Sequence, residues 1–148
     1  MINIKRLYQT LIPFYCRKFK LSNISIKKDN RILASARVKY RKNGGIIIFN
    51  NKRLSNDKNY DWGLSTMFHE LGHLKYRLSY FTKKQKILSE YKAEIFAIKQ
   101  MKKYYPKRHK RLIKSMLKNT LSYYKEDFPI HYEAFLKIRE YQIKEKND

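Results

Sequence analysis

The sequence is poor in cysteine, proline, glycine and acidic residues. Its 148 residues include one cysteine, Cys16, three prolines and four glycines. A single cysteine excludes an intrachain disulfide framework and a zinc site made of several thiolates, and it suits a reducing compartment. No apolar run approaches the ~20 residues that a membrane-spanning helix requires. We therefore expect a cytoplasmic protein without a membrane span.

Acidic residues are much scarcer than basic ones. Lys and Arg number 35 against 12 Asp and Glu, which gives a formal net charge of +23. A positive field of this size favours nucleic acid, nucleoprotein, acidic protein surfaces or anionic lipid as partners. Lys supplies 25 of the 35 basic residues and is spread through the chain. A lysine-rich coding bias on solvated surfaces is therefore an equal alternative.

The few acidic residues in the central region fall at positions that a metal site could use. Between residues 62 and 125 there are sixteen Lys and Arg but only three acids, Glu70, Glu90 and Glu94. Glu70 lies inside the motif His69-Glu70-Leu71-Gly72-His73. Two histidines four residues apart lie on one face of a helix, where neutral imidazoles can bind one Zn²⁺. The intervening carboxylate is placed to take a proton from zinc-bound water.

The motif lies on a segment with helical periodicity. An apolar stripe accompanies the two histidines, and it consists of Leu64, Phe68, Leu71, Leu74 and Leu78. This spacing predicts an active-site helix over about 62–79, with Asp61 as its N-cap. We expect the histidines, beside the stripe, to face a cleft. Chance occurrence of the motif on an ordinary helix is the less favoured alternative.

The remaining patterns predict an α+β fold in a single domain, 1–148. An apolar periodicity over 2–19 predicts an N-terminal helix, and residues 21–27 form a weak strand. Asn43-Gly44 between two strand-like runs predicts an antiparallel hairpin at about 31–49, followed by a polar loop at 50–59. Three further helices are predicted after the motif: one over 83–104 with Thr82 as its N-cap, and two opening at Pro106 and Pro129.

A catalytic zinc ion takes three protein ligands, and the motif supplies two. Glu90 and Glu94 are both candidates for the third. They lie one turn apart on the next predicted helix, seventeen and twenty-one residues after His73. Two solvated surface acids are the alternative interpretation of this pair.

The two helices together resemble a known family. The motif, followed by Glu90-x-x-Ala93-x-x-Phe96-Ala97 and Pro106, is similar to the ImmA/IrrE family of small gluzincin-type metallopeptidases. The resemblance implies a minimal zincin in which Glu90 completes the zinc site and Glu94 hydrogen-bonds a ligating imidazole, that of His69. Lys92 and Glu94 depart from the residues usual in that family. A weaker similarity is to the SprT-like proteases, whose third ligand is a histidine.

These observations lead to two hypotheses of function. The first is a zinc-dependent endopeptidase in which His69, His73 and Glu90 bind the metal and Glu70 is the general base that assists attack of zinc-bound water on a protein substrate. The resemblance implies a phage or mobile-element regulator. The second hypothesis is a zincin scaffold that docks on nucleic acid or a large assembly through its basic surface. Further histidines and tyrosines are considered as transition-state donors, namely His131, Tyr76, Tyr104, Tyr123 and Tyr124, whereas His109 is expected in a solvated basic patch.

Overall fold

A computed structural model of the protein describes residues 3–55, 60–118 and 129–147. These residues form six helices and three strands, and the predicted α+β class is confirmed. In chain order the elements are α1 (Ile4–Lys18), β1 (Ile24–Lys28), β2 (Ala36–Arg41), β3 (Gly44–Phe49), α2 (Asn51–Ser55), α3 (Asp61–Tyr76), α4 (Lys83–Tyr104), α5 (Pro106–Lys118) and α6 (Pro129–Asn147).

The three strands form one mixed sheet in the order β1–β3–β2. The hairpin pair β2 and β3 is antiparallel as predicted, but β1 runs parallel to β3, with Ile24 beside Gly45. We expected a small antiparallel sheet around this hairpin, and that expectation is wrong for β1, which makes the sheet mixed. The strands β1 and β2 run in opposite directions, and β3 inserts between them. The central place suits β3, since its residues are almost all buried, whereas both edge strands expose lysines.

The hairpin turn differs in detail from its prediction. Arg41 pairs with Gly44, so the connection is Lys42-Asn43 and the glycine already belongs to β3. Gly44 has no positive φ. Its hydrogen side chain is needed for another reason, because a Cβ here would lie 2.1 Å from the carbonyl oxygen of Asn23. The glycine therefore permits a close approach between the loop before β1 and the start of β3.

The segment predicted as a polar loop at 50–59 contains the short helix α2. The buried Asn50 directly precedes this helix and caps its start. Its Oδ1 accepts a hydrogen bond from the amide nitrogen of Arg53 at 3.1 Å, while its Nδ2 donates to the carbonyl oxygen of Ile32 at 3.0 Å. Asparagine is a strong N-cap, and this one also ties the helix to the loop before β2. Residues 56–59 lie outside the described part of the chain.

The motif helix α3 begins one residue before the predicted start and ends three residues before the predicted end. Arg77 ends it in a left-handed conformation, with φ 48°. The Arg77 guanidinium donates hydrogen bonds to the carbonyl oxygens of Gly44 and Arg41, at 2.9 and 2.7 Å. The end of the motif helix is thereby fixed to the hairpin turn.

Asp61 was expected to cap α3, and this prediction is wrong. Asp61 is the first residue inside the helix, and Tyr60 precedes it without a capping hydrogen bond from its side chain. The Asp61 carboxylate is buried and accepts hydrogen bonds from Arg108 at 3.0 Å and from Arg111 at 3.2 Å. Its negative charge still lies at the positive end of the helix dipole, but its partners come from α5.

The helix after the motif has the predicted bounds and cap. Thr82 accepts a hydrogen bond from the amide nitrogen of Gln85 at 3.1 Å, and the Gln85 side chain accepts one from the Thr82 amide at 3.0 Å. This reciprocal pair is a capping box, which fixes the start of α4 and hence the position of Glu90 two turns later.

The main hydrophobic core lies between α1, the sheet, α3 and α4. Its largest fully buried side chains include Tyr8, Phe49, Phe68 and Met101. A second, smaller cluster joins α4 to α6 and consists of Ile87, Ile98, Ala134 and Ile138. The first core holds the motif helix in place, and the second brings α6 alongside the acid-bearing face of α4.

Candidate metal centre

The packing of α3 against α4 brings the motif histidines to the acids of the next helix. The Nε2 atoms of His69 and His73 lie 3.1 Å apart. Glu90 Oε2 is 3.0 Å from His69 Nε2, and Glu90 Oε1 is 3.4 Å from His73 Nε2. The side chains are largely buried, with exposed fractions of 13% for His69, 10% for His73 and 7% for Glu90. These three residues form a group that could hold a metal ion.

The donor atoms lie near the spacing that a zinc site requires. A zinc ion 2.0–2.1 Å from nitrogen ligands in tetrahedral geometry separates its ligand atoms by about 3.3 Å. The individual contacts, at 3.1, 3.0 and 3.4 Å, lie close to this value, and the two contacts of Glu90 use different carboxylate oxygens. One donor atom from each of the three residues lies within 4.8 Å of the others, so the set could hold a small cation.

The hydrogen bonding of His69 is also compatible with a cation between the donor atoms. Its Nδ1 lies 2.6 Å from Glu94 Oε2, and because a carboxylate only accepts, that nitrogen carries the proton. In the neutral imidazole, Nε2 is then a lone-pair acceptor that faces another acceptor, Glu90 Oε2. Two acceptors 3.0 Å apart require a proton or a cation between them. A metal ion or a second proton on His69 satisfies this contact.

Further side chains surround the donors. The predicted contact between Glu94 and His69 is present. Ser89 Oγ lies 3.2 Å from His73 Nδ1, and the Tyr80 hydroxyl donates to Glu90 Oε1 at 2.8 Å. The Nε2 of His131, on α6, lies 3.3 Å from Glu90 Oε2. Both imidazoles and the Glu90 carboxylate are thus oriented by a second layer of polar groups.

The pKa values of Glu90 and His69 are shifted because acids and imidazoles lie close together in this cluster. Burial alone would raise the pKa of Glu90, but hydrogen bonds from His131, His69 and His73 lower it well below its ordinary value. Burial alone would lower the pKa of His69, but the hydrogen bonds to Glu90 and Glu94 raise it. Without a bound cation, the cluster therefore favours an ionised Glu90 beside a protonated His69.

Glu70 lies one residue along α3 from His69, is 5% exposed and acts electrostatically on the same cluster. Burial raises its pKa, and the neighbouring His69 and His73 oppose that rise. Its carboxylate accepts no hydrogen bond from the part of the chain that the structure describes. The predicted catalytic residue is therefore a buried carboxylate beside the predicted metal ligands.

The other histidines and tyrosines considered from the sequence lie in different parts of the structure. His131 lies at the cluster, whereas Tyr76 packs on Phe96 and Tyr104 packs on Phe68 in the core. Tyr123 and Tyr124 lie outside the described residues. His109 is buried, so its expected place in a solvated patch is wrong.

Sequence reasoning missed three contributors, Tyr80, Ser89 and Tyr40. The hydroxyl of Tyr40, on β2, donates to the carbonyl oxygen of His73 at 3.2 Å. Ser89 directly precedes Glu90, and its position beside a predicted ligand could have identified it as part of the site. Nothing in the local pattern distinguishes Tyr80 or Tyr40 among the thirteen tyrosines.

No family model matches the sequence, and searches of curated proteins and of solved structures found no match either. Among the described residues, no helix combines the length and the apolar character needed to cross a membrane.

Proposed function

We propose that the protein is a zinc-dependent endopeptidase in which His69, His73 and Glu90 bind the metal and Glu70 is the general base. The observation that carries the proposal is the convergence of His69, His73 and Glu90, with one donor atom of each within 4.8 Å of the others, beside a buried carboxylate. A purely structural metal site has no use for that fourth group. The absence of a thiolate framework fits an intracellular enzyme.

The chemistry divides between the ion and the side chains. Bound Zn²⁺ would act as a Lewis acid that acidifies water and polarises a peptide carbonyl. Glu70 accepts the proton of the attacking water and then delivers it to the amide nitrogen of the departing peptide. The imidazoles and Glu90 keep their orientation through contacts with Glu94, Ser89 and Tyr80.

The sheet provides a place for an extended substrate. In the strand order, β2 is an edge strand, so one row of its backbone groups is available for pairing. Its residue Tyr40 contacts the carbonyl oxygen of His73, so this edge borders the donor cluster. An extended peptide added to β2 would run past the proposed zinc site, which favours a protein substrate.

The proposal is tested by Glu70→Gln, which keeps the size of the side chain but cannot accept the proton. Wild type and variant are loaded with zinc and incubated with a peptide library made from a denatured proteome. New peptide termini are then counted by mass spectrometry. We expect the variant to lose about 10²–10⁴-fold in cleavage rate while it retains its zinc. Glu133→Gln changes a side chain that is 43% exposed, and this matched control should cleave like wild type.

Equal peptide profiles for zinc-loaded wild type and Glu70→Gln would contradict the peptidase. A zinc-bound frame for a binding surface would then be the better description. Failure to bind zinc at all would contradict both the metal site and the enzyme.

A further inference from the structure

A surface at the ends of α1 and α4 combines lysines with aromatic rings. On it, the Lys18 Nζ lies 5.1 Å from the centroid of the Phe14 ring and 5.8 Å from that of Tyr104. The Lys103 Nζ lies 5.2 Å from the same Tyr104 centroid. We call these four residues, Phe14, Lys18, Lys103 and Tyr104, the lysine–aromatic face. The ammonium groups of Lys18 and Lys103 therefore both lie over the Tyr104 ring.

The face is held together by the core beneath it. The Tyr15 hydroxyl donates to the Tyr105 hydroxyl at 2.9 Å, and the Tyr15 ring packs edge-on against Tyr104 at 5.2 Å. These contacts join the end of α1 to the end of α4. The lysines are exposed, whereas the rings they share are anchored, so the charges are presented from a rigid base.

The helices that carry these lysines contain few acidic residues. The sequence has none in α1, none in α4 after Glu94, and none in α5. The helix α5 follows directly and exposes Lys107, Lys110 and Lys114. Asp61, on α3, pairs with Arg108 and Arg111 of α5, which are different side chains from the exposed lysines.

Three acids among the described residues are engaged elsewhere. Glu90 and Glu94 are buried at the donor cluster, and Glu133 pairs with Lys83 at 2.7 Å. Like charges that converge on one aromatic ring favour a ligand that carries repeated negative charge. A coding bias explains many lysines, but it does not explain two of them over the same anchored ring.

We propose that the lysine–aromatic face and the adjoining lysines of α5 bind single-stranded nucleic acid. Lys18, Lys103 and Lys107 would contact successive phosphates. Phe14 is 42% exposed and would offer its ring to an unpaired base, as aromatic side chains do in proteins that bind single strands without sequence preference.

A membrane surface fits this face less well. Binding at a bilayer interface needs a band of exposed apolar side chains beside the cations, and Phe14 is the only exposed large hydrophobic residue among the described parts of α1, α5 and the end of α4. The nucleic-acid proposal does not depend on peptidase activity.

The test uses fluorescence anisotropy with a labelled oligothymidine at low and physiological salt. The double variant Lys18→Glu/Lys103→Glu is compared with Lys28→Glu/Lys39→Glu, which changes two exposed lysines of the sheet. Both alter the net charge equally. We expect the first to weaken binding by about tenfold or more and to reduce the salt dependence, and the second to change affinity by less than about threefold.

Phe14→Ala tests the stacking contact. It should lower single-strand affinity by about fivefold or more, with the salt dependence unchanged. Its affinity for duplex of the same length should stay that of wild type. Circular dichroism and thermal melts of all variants exclude unfolding, and Glu70→Gln should bind nucleic acid like wild type because it leaves the face intact.

Three outcomes would overturn the proposal. Equal losses in the two double variants would mean that charge acts diffusely, without a site. Duplex bound as tightly as single strand, with no effect of Phe14→Ala, would remove the stacking role. Binding to vesicles of phosphatidylserine and phosphatidylcholine, lost in Lys18→Glu/Lys103→Glu, with no binding to the oligonucleotide, would assign the face to anionic lipid.

Discussion

Gly72 on the motif helix lies directly against Ala93 on the next helix. A Cβ built at Gly72 would come 3.0 Å from the Ala93 Cα and 3.1 Å from its carbonyl oxygen. Both obstacles are backbone atoms, which cannot turn away as a side chain can. This contact sets how closely α3 and α4 approach, and therefore the separation between the motif histidines and Glu90.

Gly72→Ala should consequently weaken the metal centre from a distance. The substitution gains about 1 kcal/mol of helix propensity but adds an overpacking cost of about 1–3 kcal/mol. We expect a net loss of about 1 kcal/mol in the free energy of unfolding and a weaker zinc affinity, measured by chemical denaturation and by titration against a zinc chelator. The control is Gly63→Ala on the same helix, where the Cβ meets only the terminal Cδ1 of the Ile4 side chain at 2.9 Å. Equal zinc affinity in both variants would show that the helix spacing does not control the site.

The two glutamates of α4 should affect zinc differently. Glu90→Gln removes a proposed ligand, whereas Glu94→Gln removes the acceptor that orients His69. Loss of an orienting contact typically weakens metal binding by ~10–100-fold, and loss of a ligand should weaken it further. Elemental analysis and competition with a chelator measure this. If Glu94→Gln loses the metal and Glu90→Gln keeps it, the two roles are reversed.

Asp61→Asn should destabilise the fold without changing the zinc site. The Asp61 carboxylate is buried between α3 and α5, and hydrogen bonds to charged groups contribute about 1.5–3 kcal/mol each. Because the Arg108 and Arg111 side chains are partly exposed, we expect a loss of about 1–3 kcal/mol in total, in denaturant unfolding. The matched control is Asp29→Asn, whose partner Arg31 has an 87% exposed side chain, and it should unfold like wild type. A similar midpoint for both variants would contradict the structural role of Asp61.

Cys16 should react slowly with thiol reagents until the protein unfolds. Burial raises its pKa to about 11, against a smaller opposing effect of Arg17, and its residue is only 7% exposed. At pH 8 about one thiol in a thousand would be ionised, and the reactive form is the thiolate. A chromogenic disulfide reagent should therefore report a slow phase in native buffer and a rapid one in denaturant, with no reaction in Cys16→Ser. Rapid labelling of the native protein would place this part of α1 outside the core.

Elements with strong local signals could be predicted from the sequence. The start of α4 at Lys83 follows from Thr82 and Gln85, which are three residues apart and need no information from the rest of the chain. The convergence of His69, His73 and Glu90 was anticipated because the helical repeat fixes the first two and one short connection limits where the third can lie.

Features decided by distant packing could not be predicted. Asp61 matches an N-cap in local sequence, but Arg108 and Arg111 arrive from α5, about fifty positions later, and hold its carboxylate. The parallel pairing of β1 with β3 depends on the insertion of a later strand between two earlier ones. Tyr80 and Tyr40 likewise reach the site through the path of the chain, which leaves no periodic signal.

The contact between His131 and Glu90 also bears on how the protein is made. The donors lie on α3 and α4, whereas the histidine that completes the surroundings of Glu90 lies on α6. Since a chain is synthesised from its N-terminus, His69 and His73 leave the ribosome first, Glu90 follows, and His131 comes last. A nascent chain would thus pass through a stage in which two imidazoles are available to metal without their carboxylate partner. The proposed metal site would gain its His131 contact only once α6 docks.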